Sequence, residues 1–328
     1  MRLDDEELMA IALAEGEKAR LHAPPNPWVG ALVVDARGVI VAAGHTQVPG
    51  ESHAEVEALR RAADRAQGAT LIVTLEPCDH QGSTGPCSEA IIAAGIKRVV
   101  VALRDPDPRV QGRGLERLRA AGVEVVEGVG GDDVRRQLAP YLWHRTTGRP
   151  YVVAKVASTL DGVVAMADGS SQWITSSEAR RDAHVVRAKS QAILVGAGTV
   201  RRDDPALTAR LEDVVLEPLR VVLGTAPEGA KVHPCLERSG DLSPILDELG
   251  ASGVVQLLVE GGASTLSAFF SSGLVNHVVW YLAPAFGGAR GTLPALVDLA
   301  TPTMDTLRRG RITEVRSLGP DVRIDVEV

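Results

Sequence analysis

The sequence predicts an α/β protein of two domains, and three observations carry that prediction. The chain has 328 residues, more than one hydrophobic core usually fills. Helix-type and strand-type patterns alternate over most of its length, the order expected for sheets covered by helices. The segment Thr146-Thr147-Gly148-Arg149-Pro150 separates an amphipathic stretch from a new apolar strand, so the boundary is expected there, between a domain over 1–146 and one over 150–328.

The elements follow in order. Asp4 and Glu7 have the spacing of a capping box and open a helix that runs towards Arg20. Val29–Val34 and Val39–Ala43 flank Asp35-Ala36-Arg37-Gly38 and read as a hairpin. A helix is expected from about His53 to Ala66, a strand at Thr70–Thr74, and a helix after Ser88. A strand at Val99–Ala102, a helix at about Gly114–Ala121 and a strand at Glu124–Val126 follow, and the amphipathic stretch Val134–Trp143 closes the first half. The second half opens with a strand at Tyr151–Ala157. Further strands are expected at Ala192–Val195, Arg220–Leu223, Gln256–Val259 and His277–Leu282. Helices are expected after Ser176, after Ser243-Pro244, where a cap precedes a proline, and at Ser264–Ser272. Ile312–Ser317 and Val322–Val328, around Gly319-Pro320, read as a closing antiparallel pair.

Composition narrows the function classes. Hydrophobic residues make up 45% and charged residues 23%, which excludes a disordered or fibrous chain. The net charge is −7 and the isoelectric point about 5.7, against broad affinity for nucleic acid or anionic membrane. Aromatic residues are 3%, so the cores must be built from Val, Leu, Ile and Ala. Three cysteines form no disulfide framework and fit a reduced, cytoplasmic setting. Met1-Arg2-Leu3-Asp4-Asp5 is no signal peptide, and the longest uncharged stretch, Gly261–Ala289, is too broken by Gly, Ser, Asn276 and His277 to span a membrane.

Chemistry concentrates first around His53-Ala54-Glu55, Pro77-Cys78 and Cys87. One His and two Cys supply three ligands to zinc and leave a fourth position for water. Glu55 is then placed to carry a proton from that water to a leaving amine, the logic of a zinc deaminase. The Cys–Cys interval is longer than the usual deaminase signature. A structural zinc with His80 as fourth ligand is the competing reading.

At this point the sequence resembles a known family, the bifunctional riboflavin-biosynthesis deaminase–reductases. The stretches that carry the resemblance are Pro25-Asn26-Pro27-Trp28-Val29-Gly30, Gly44-His45, His53 to Leu59, Glu76 to Cys87, and Asp105-Pro106-Asp107-Pro108-Arg109-Val110 with Gly112 and Gly114. The wider Cys–Cys interval belongs to that family. The resemblance implies a cytidine-deaminase-like three-layer α/β/α domain, with zinc on His53, Cys78 and Cys87 and Glu55 as proton shuttle. It also implies substrate contacts at Asn26, His45 and His80. Asn26 reads equally as a turn residue, His45 as a satisfied strand-end histidine and His80 as a loop histidine. The family has a basic residue where Ser83 stands, so another cation must meet the substrate phosphate; Arg104 and Arg109 are candidates.

The second concentration follows strand Ala192–Val195, in Gly196-Ala197-Gly198-Thr199 and on to Arg201-Arg202-Asp203-Asp204-Pro205 and Arg210. Glu260-Gly261-Gly262 makes another strand–glycine–helix junction. Both offer free backbone N–H groups to a phosphate, or are only tight turns. With Lys155 to Gly162 and Ser171-Gln172-Trp173-Ile174-Thr175, they resemble the family's reductase half, which is dihydrofolate-reductase-like in fold and uses NADPH. That resemblance implies a cofactor site at Ala157, Trp173, Thr199, Asp203 and Thr225 and along Gly262, Ala263, Ser264, Thr265, Leu266, Ser267 and Ala268. It implies substrate contacts at Ser171, Arg187, Leu207, Arg210 and Glu260. Lys155 and Asp203 are the catalytic candidates, with a solvated lysine and a helix cap as their plain alternatives. Between Thr225 and Glu260 the chain is shorter than the family usually is, so a missing strand or loop is expected beside the cofactor's adenosine end. Arg201 and Arg202 are candidates for a 2′-phosphate there.

The expected function is therefore hydrolytic deamination of 2,5-diamino-6-ribosylamino-4(3H)-pyrimidinone 5′-phosphate, then NADPH-dependent reduction of its ribosyl chain to 5-amino-6-ribitylamino-uracil 5′-phosphate. The alternative is a zinc nucleobase deaminase with a degenerate, nucleotide-sensing second domain. The expected partner is a small phosphorylated pyrimidine, with neither nucleic acid nor membrane involved. The family's members pair through the reductase domain, which Phe269–Ala285 would serve, or that stretch is core.

Overall fold

The computed structural model describes residues 3–81, 85–212, 214–288, 290–297, 299 and 303–328. The chain divides into two compact units, 1–148 and 149–328.

The first unit opens with α1 (Asp5–Glu17), capped as its sequence requires: Asp4 Oδ1 accepts from the Glu7 N–H and Glu7 Oε2 from the Asp4 N–H. Then come β1 (Gly30–Val34), β2 (Ile40–His45), α2 (Ala54–Ala62), β3 (Thr70–Leu75), α3 (Cys87–Ala93), β4 (Arg98–Leu103), α4 (Arg113–Ala120), β5 (Glu124–Glu127), α5 (Gly131–Gln137) and α6 (Ala139–Thr147). The sheet order is β2-β1-β3-β4-β5. β1 pairs antiparallel with β2 and β3, and β3-β4-β5 are parallel. α1 and α5 pack together, and α1 lies on β1 and β3; α2 lies on β1 and β2, with α3 on α2 and α4. Leu32, Leu71, Ile72, Ile91, Leu115 and Leu118 are fully buried among these layers.

Three local readings need correction. α1 ends at Glu17, short of Arg20. The helix expected to reach Ala66 stops at Ala62 and becomes a 3-10 turn. The amphipathic stretch 134–143 is two helices that meet at Leu138, with Pro140 at the start of the second.

The second unit contains β6 (Tyr151–Thr159), β7 (Val163–Ala165), α7 (Ser177–Ala188), β8 (Ala192–Gly196), α8 (Ala197–Asp203), β9 (Ala209–Arg210), β10 (Val215–Leu216), β11 (Leu219–Leu223), β12 (Leu236–Arg238), α9 (Leu242–Ala251), β13 (Gln256–Val259), α10 (Ala263–Ser271), β14 (His277–Ala283), β15 (Leu293–Pro294), β16 (Arg311–Leu318) and β17 (Asp321–Glu327). Its main sheet runs β12-β11-β8-β13-β6-β14-β17-β16. The strands from β12 to β14 are parallel and the last two antiparallel. Both faces of the central strands β6, β8 and β13 are buried, whereas the edge strand β16 is mostly exposed. Val152, Ala154, Leu194, Leu257 and Val259 join one apolar cluster with Ile245, Leu249 and Phe269, whereas Val153, Ile193, Val195 and Leu258 join another with Ala179, Val186 and Val200. Period-2 alternation between two apolar faces is why the parallel strands read as continuous Val/Leu/Ile runs.

Here too the structure departs from expectation. The segment after β8 is the tight strand–helix junction of the two alternatives, since Gly196 caps α8 directly. The cap of α9 is Asp241 rather than Ser243. The segment between Thr225 and Glu260 contains β12 and α9. Within Phe269–Ala285, Phe269, Val278, Val279 and Tyr281 are buried and β14 lies between β6 and β17, whereas Ser271, Ser272, Gly273, Pro284 and Ala285 are exposed.

Candidate functional sites

In the first unit, the carboxyl end of β3 and the N-termini of α2 and α3 converge, the usual place for a site in an α/β sheet. His53 caps α2 in an extended conformation, Cys78 follows β3, and Cys87 is the first residue of α3. His53 Nδ1 lies 3.5 Å from Cys78 Sγ and 3.3 Å from Cys87 Sγ. All three ligand atoms fall within 4.8 Å of one another, and among the described residues neither Glu55 nor His80 joins them. An ion with bonds of about 2.0 Å to nitrogen and 2.3 Å to sulfur in tetrahedral geometry needs N···S edges of roughly 3.5 Å. The trio fits zinc, and among the described residues no fourth ligand group joins it.

The donor set is prepared electrostatically. The Cys87 thiol, the His53 ring and the Cys87 N–H bond to Cys78 and hold its thiol down near 4, while Cys87 itself is pushed well up. Glu55, in the first turn of α2, is 4% exposed. Burial raises its carboxyl to about 7, which suits a group that must both take and give a proton near neutrality.

A cavity of about 220 Å³ opens onto His53 and Cys78 of this trio, and Asn26, Glu55, His80, Asp105, Asp107, Arg109, Tyr141 and Arg145 are among its other lining residues. His80 Nδ1 is buried in it without a hydrogen bond among the described residues. His45 is not in that lining; its Nδ1 meets Glu15 Oε1 at 2.9 Å beside the His22 ring. Arg104 is also turned away and pairs with Glu127 at 2.6 Å. Ser83 lies outside the described residues. Arg109 reaches the cavity but is clamped by Asp107 at 2.7 Å. Arg145 carried no sequence signal. It lines the cavity from α6, its guanidinium 5.1 Å over the Tyr141 ring, with Nε 3.8 Å from Asp107 Oδ2 and Nη2 donating to the Pro25 carbonyl oxygen at 3.1 Å. The glycines of the 112–114 stretch are structural here: a Cβ on Gly114 would sit 1.9 Å from the Pro77 carbonyl oxygen, so α4 packs directly under the cysteine loop.

In the second unit a cavity of about 410 Å³ gathers most of the second constellation. Lys155, Ala157, Ser171, Trp173, Arg187, Thr199, Asp203, Leu207, Arg210, Glu260, Gly262, Ala263 and Leu266 line it, with Arg202. Trp173 stands on the rim, 69% exposed, under the Arg180 guanidinium. Gly262 N–H donates to Thr199 Oγ1 at 3.2 Å, so the two strand–helix junctions are tied together. Arg187 and Glu260 form a two-pronged ion pair at 2.6 and 2.7 Å. Burial opposes ionisation of Glu260, but Arg187 and Lys155 outweigh it and hold the carboxyl near 2. Burial pushes the Lys155 ammonium the other way, below the usual lysine range. Burial likewise raises Asp203.

Ser264, Thr265, Ser267 and Ala268 do not line this cavity. A helix turns about 100° per residue, so α10 presents Ala263 and Leu266 while Ser267 Oγ accepts from the Val297 N–H on another side. Thr225, past the end of β11, is also outside the lining, as is Arg201.

Comparison with known proteins matches residues 2–103 to the cytidine and deoxycytidylate deaminase zinc-binding region and residues 150–324 to the RibD C-terminal domain. The riboflavin biosynthesis protein RibD of Escherichia coli is 38% identical, over 98% of this chain and 98% of its own. Its Mycobacterium tuberculosis counterpart is 41% identical over 98% and 96%. That alignment spans 332 residues against 366 for the Escherichia coli protein, so this chain has a relative close to its own length. Acinetobacter baumannii RibD superposes with a TM-score of 0.92 at 35% identity, covering 98% of both chains. A diaminohydroxyphosphoribosylaminopyrimidine deaminase/5-amino-6-(5-phosphoribosylamino)uracil reductase from Thermotoga maritima superposes at 0.87 with 34% identity, again over 98% of both.

Proposed function

Because this chain belongs to the RibD family of bifunctional riboflavin-biosynthesis deaminase–reductases, we propose a division of chemistry between its two units. The unit over 1–148 deaminates the phosphorylated diaminopyrimidine, and the unit over 149–328 reduces the ribosyl chain of the product with NADPH. The observation that carries the first half is the His53–Cys78–Cys87 trio with buried Glu55 beside it. When bound there, zinc supplies the Lewis acidity that lets water react at neutral pH. Glu55 takes the proton of that water and hands it to the departing ammonia. Asn26 and His80 orient the pyrimidine, and Arg145, aided by Arg109, meets the phosphate in place of the family's usual cation.

In the second unit NADPH would lie along Ala157, Trp173, Thr199, Gly262 and Ala263, with its phosphates at the N-terminus of α10. It supplies the hydride that reaches C1′ of the ring-opened imine. Lys155 holds the proton that the imine nitrogen takes up, with Asp203 as the other proton-bearing group on the cavity wall. Arg210, bound to the neutral partners Thr208 Oγ1 and His184, keeps its charge for the substrate phosphate, whereas Arg187 is neutralised by Glu260. Catalysis by both units is favoured over a degenerate sensing domain, since the reductase-type cavity keeps its buried charged groups. Purified protein assayed separately for ammonia release and for reduction of the deaminated intermediate, with NADPH and NADH compared, tests this. Removing zinc should abolish ammonia release, leave the far-UV spectrum intact and spare the reduction. Loss of fold on stripping would make the metal a structural staple and overturn the deaminase mechanism.

A further inference from the structure

A second set of ligand atoms comes together in the unit over 149–328, outside the cavity described above. β12 is the edge strand of the main sheet, and the chain enters it through His233, Pro234 and Cys235. Cys235 and Glu237 alternate along the strand and share a side, the bend at Pro234 brings His233 beside them, and the three contribute one imidazole nitrogen, one sulfur and one carboxylate oxygen within 4.8 Å of one another. The Cys235 Sγ to His233 Nδ1 distance is 3.5 Å, equal to that between Cys78 and His53.

The far atoms of these side chains are already engaged. His233 Nε2 lies 3.0 Å from the Pro227 carbonyl oxygen, so its proton sits on Nε2 and the Nδ1 lone pair faces Cys235. Glu237 Oε1 accepts from the Ala226 N–H at 2.9 Å, which fixes the carboxylate. Such outer support is what orients ligands around a metal. Cys235 is half-buried against an apolar cluster while His233 is exposed, so the site is anchored on one side and open to solvent on the other.

We propose that His233, Cys235 and Glu237 form a second metal site, which takes one zinc-class divalent ion through Nδ1, Sγ and a carboxylate oxygen. A thiolate beside an imidazole selects borderline ions such as zinc or cobalt over magnesium or calcium. The Cys235 thiol gives its proton to solvent as the ion binds. Since Ala226 and Pro227 supply the outer support, the ion would also fix the loop that leads from β11 to β12.

Zinc-free full-length protein dialysed against free zinc, with metal and protein then measured, tests the proposal. Two ions per chain are expected for the natural protein, and one each for Cys235→Ser and for Cys78→Ser. His233→Gln should match Cys235→Ser, and Cys235→Ser should release ammonia at the natural rate. In Cys78→Ser/Cys87→Ser, where Cys235 is the remaining thiol, zinc should slow alkylation at least tenfold and cobalt should give a thiolate charge-transfer band. One ion in the natural protein, two in Cys235→Ser, or alkylation indifferent to zinc would overturn it.

Discussion

The Arg187 guanidinium and the Glu260 carboxylate meet fork to fork, with Nε 2.6 Å from Oε1 and Nη2 2.7 Å from Oε2. Both belong to the wall of the larger cavity, and Lys155 shares their field. The pair joins α7 to the residue that follows β13. It therefore fixes the strand end from which Gly261 and Gly262 lead into α10.

Removing one partner leaves a charge in a desolvated place, which usually costs about 3 kcal/mol or more. Glu260→Gln should lower the unfolding free energy by about that much at pH 7 in denaturant titration. The same pair sets a pH dependence. Glu260 ionises near 2 in the fold against an ordinary 4.5. Its contribution is complete above about 4.5 and is lost as pH falls towards 2. The stability gap between the natural protein and Glu260→Gln should close across that window. A gap constant from pH 7 to 2 would show that Glu260 does not act through ionisation.

Glu55→Gln keeps the shape of the buried side chain but removes its proton chemistry. General acid–base groups typically contribute 10²–10⁴-fold, so ammonia release should fall by about that factor. Zinc content by metal analysis should stay at the natural value, because Glu55 does not belong to the ligand trio. Reduction of the deaminated intermediate should change less than twofold. A folded variant that lost the reduction as well would contradict the assignment of separate chemistry to each unit.

The parts of these sites that the sequence displayed are those carried by short stretches of chain. His53, Glu55, Cys78 and Cys87 lie at a strand end and two helix starts, so their order along the chain was enough. The capping box of α1 and the alternating strands of the main sheet were legible for the same reason. Other placements depend on the third dimension. His45 is turned aside by Glu15, 30 residues earlier. Arg145 reaches its cavity because α6 packs there, which no local pattern reports. The run 262–268 is contiguous in sequence but not in the lining, because helical rotation sends Ser267 towards Val297. The short strand β12 left no apolar run long enough to see, yet it carries one member of the second ligand cluster and follows directly on the other two.

Arg145 supplies the test of how the deaminase site meets phosphate. It lines the cavity and its Nε meets Asp107 Oδ2 only at 3.8 Å, whereas Arg104 lies outside the lining and is spent on Glu127 at 2.6 Å. Arg145→Met, which keeps an apolar side chain of similar length but removes the charge, should raise the KM for the phosphorylated substrate by roughly 10–100-fold, the size of one charge-assisted contact. The kcat should change little, since the phosphate is remote from the reacting carbon. Arg104→Met should leave both parameters alone. Equal KM effects from the two variants would remove Arg145 from the site.

Lys155 is the corresponding test in the reductase. It sits on β6, 6.0 Å from the centre of the Tyr281 ring, and burial lowers its pKa below the ordinary 10.5. Glu260 works against that fall and Arg187 adds to it. If the ammonium form holds the proton for the imine nitrogen, reduction must fail as Lys155 deprotonates. The alkaline limb of kcat/KM should then lie below the usual lysine range. Lys155→Met should cut the rate of hydride transfer by about 10²–10⁴-fold and erase that limb, with ammonia release unchanged. Lys155→Arg keeps a charge that does not titrate in this range, so whatever activity it retains should lack the alkaline limb. A limb that persists unchanged in Lys155→Met would move the role to Asp203, whose carboxyl burial raises on the same cavity wall.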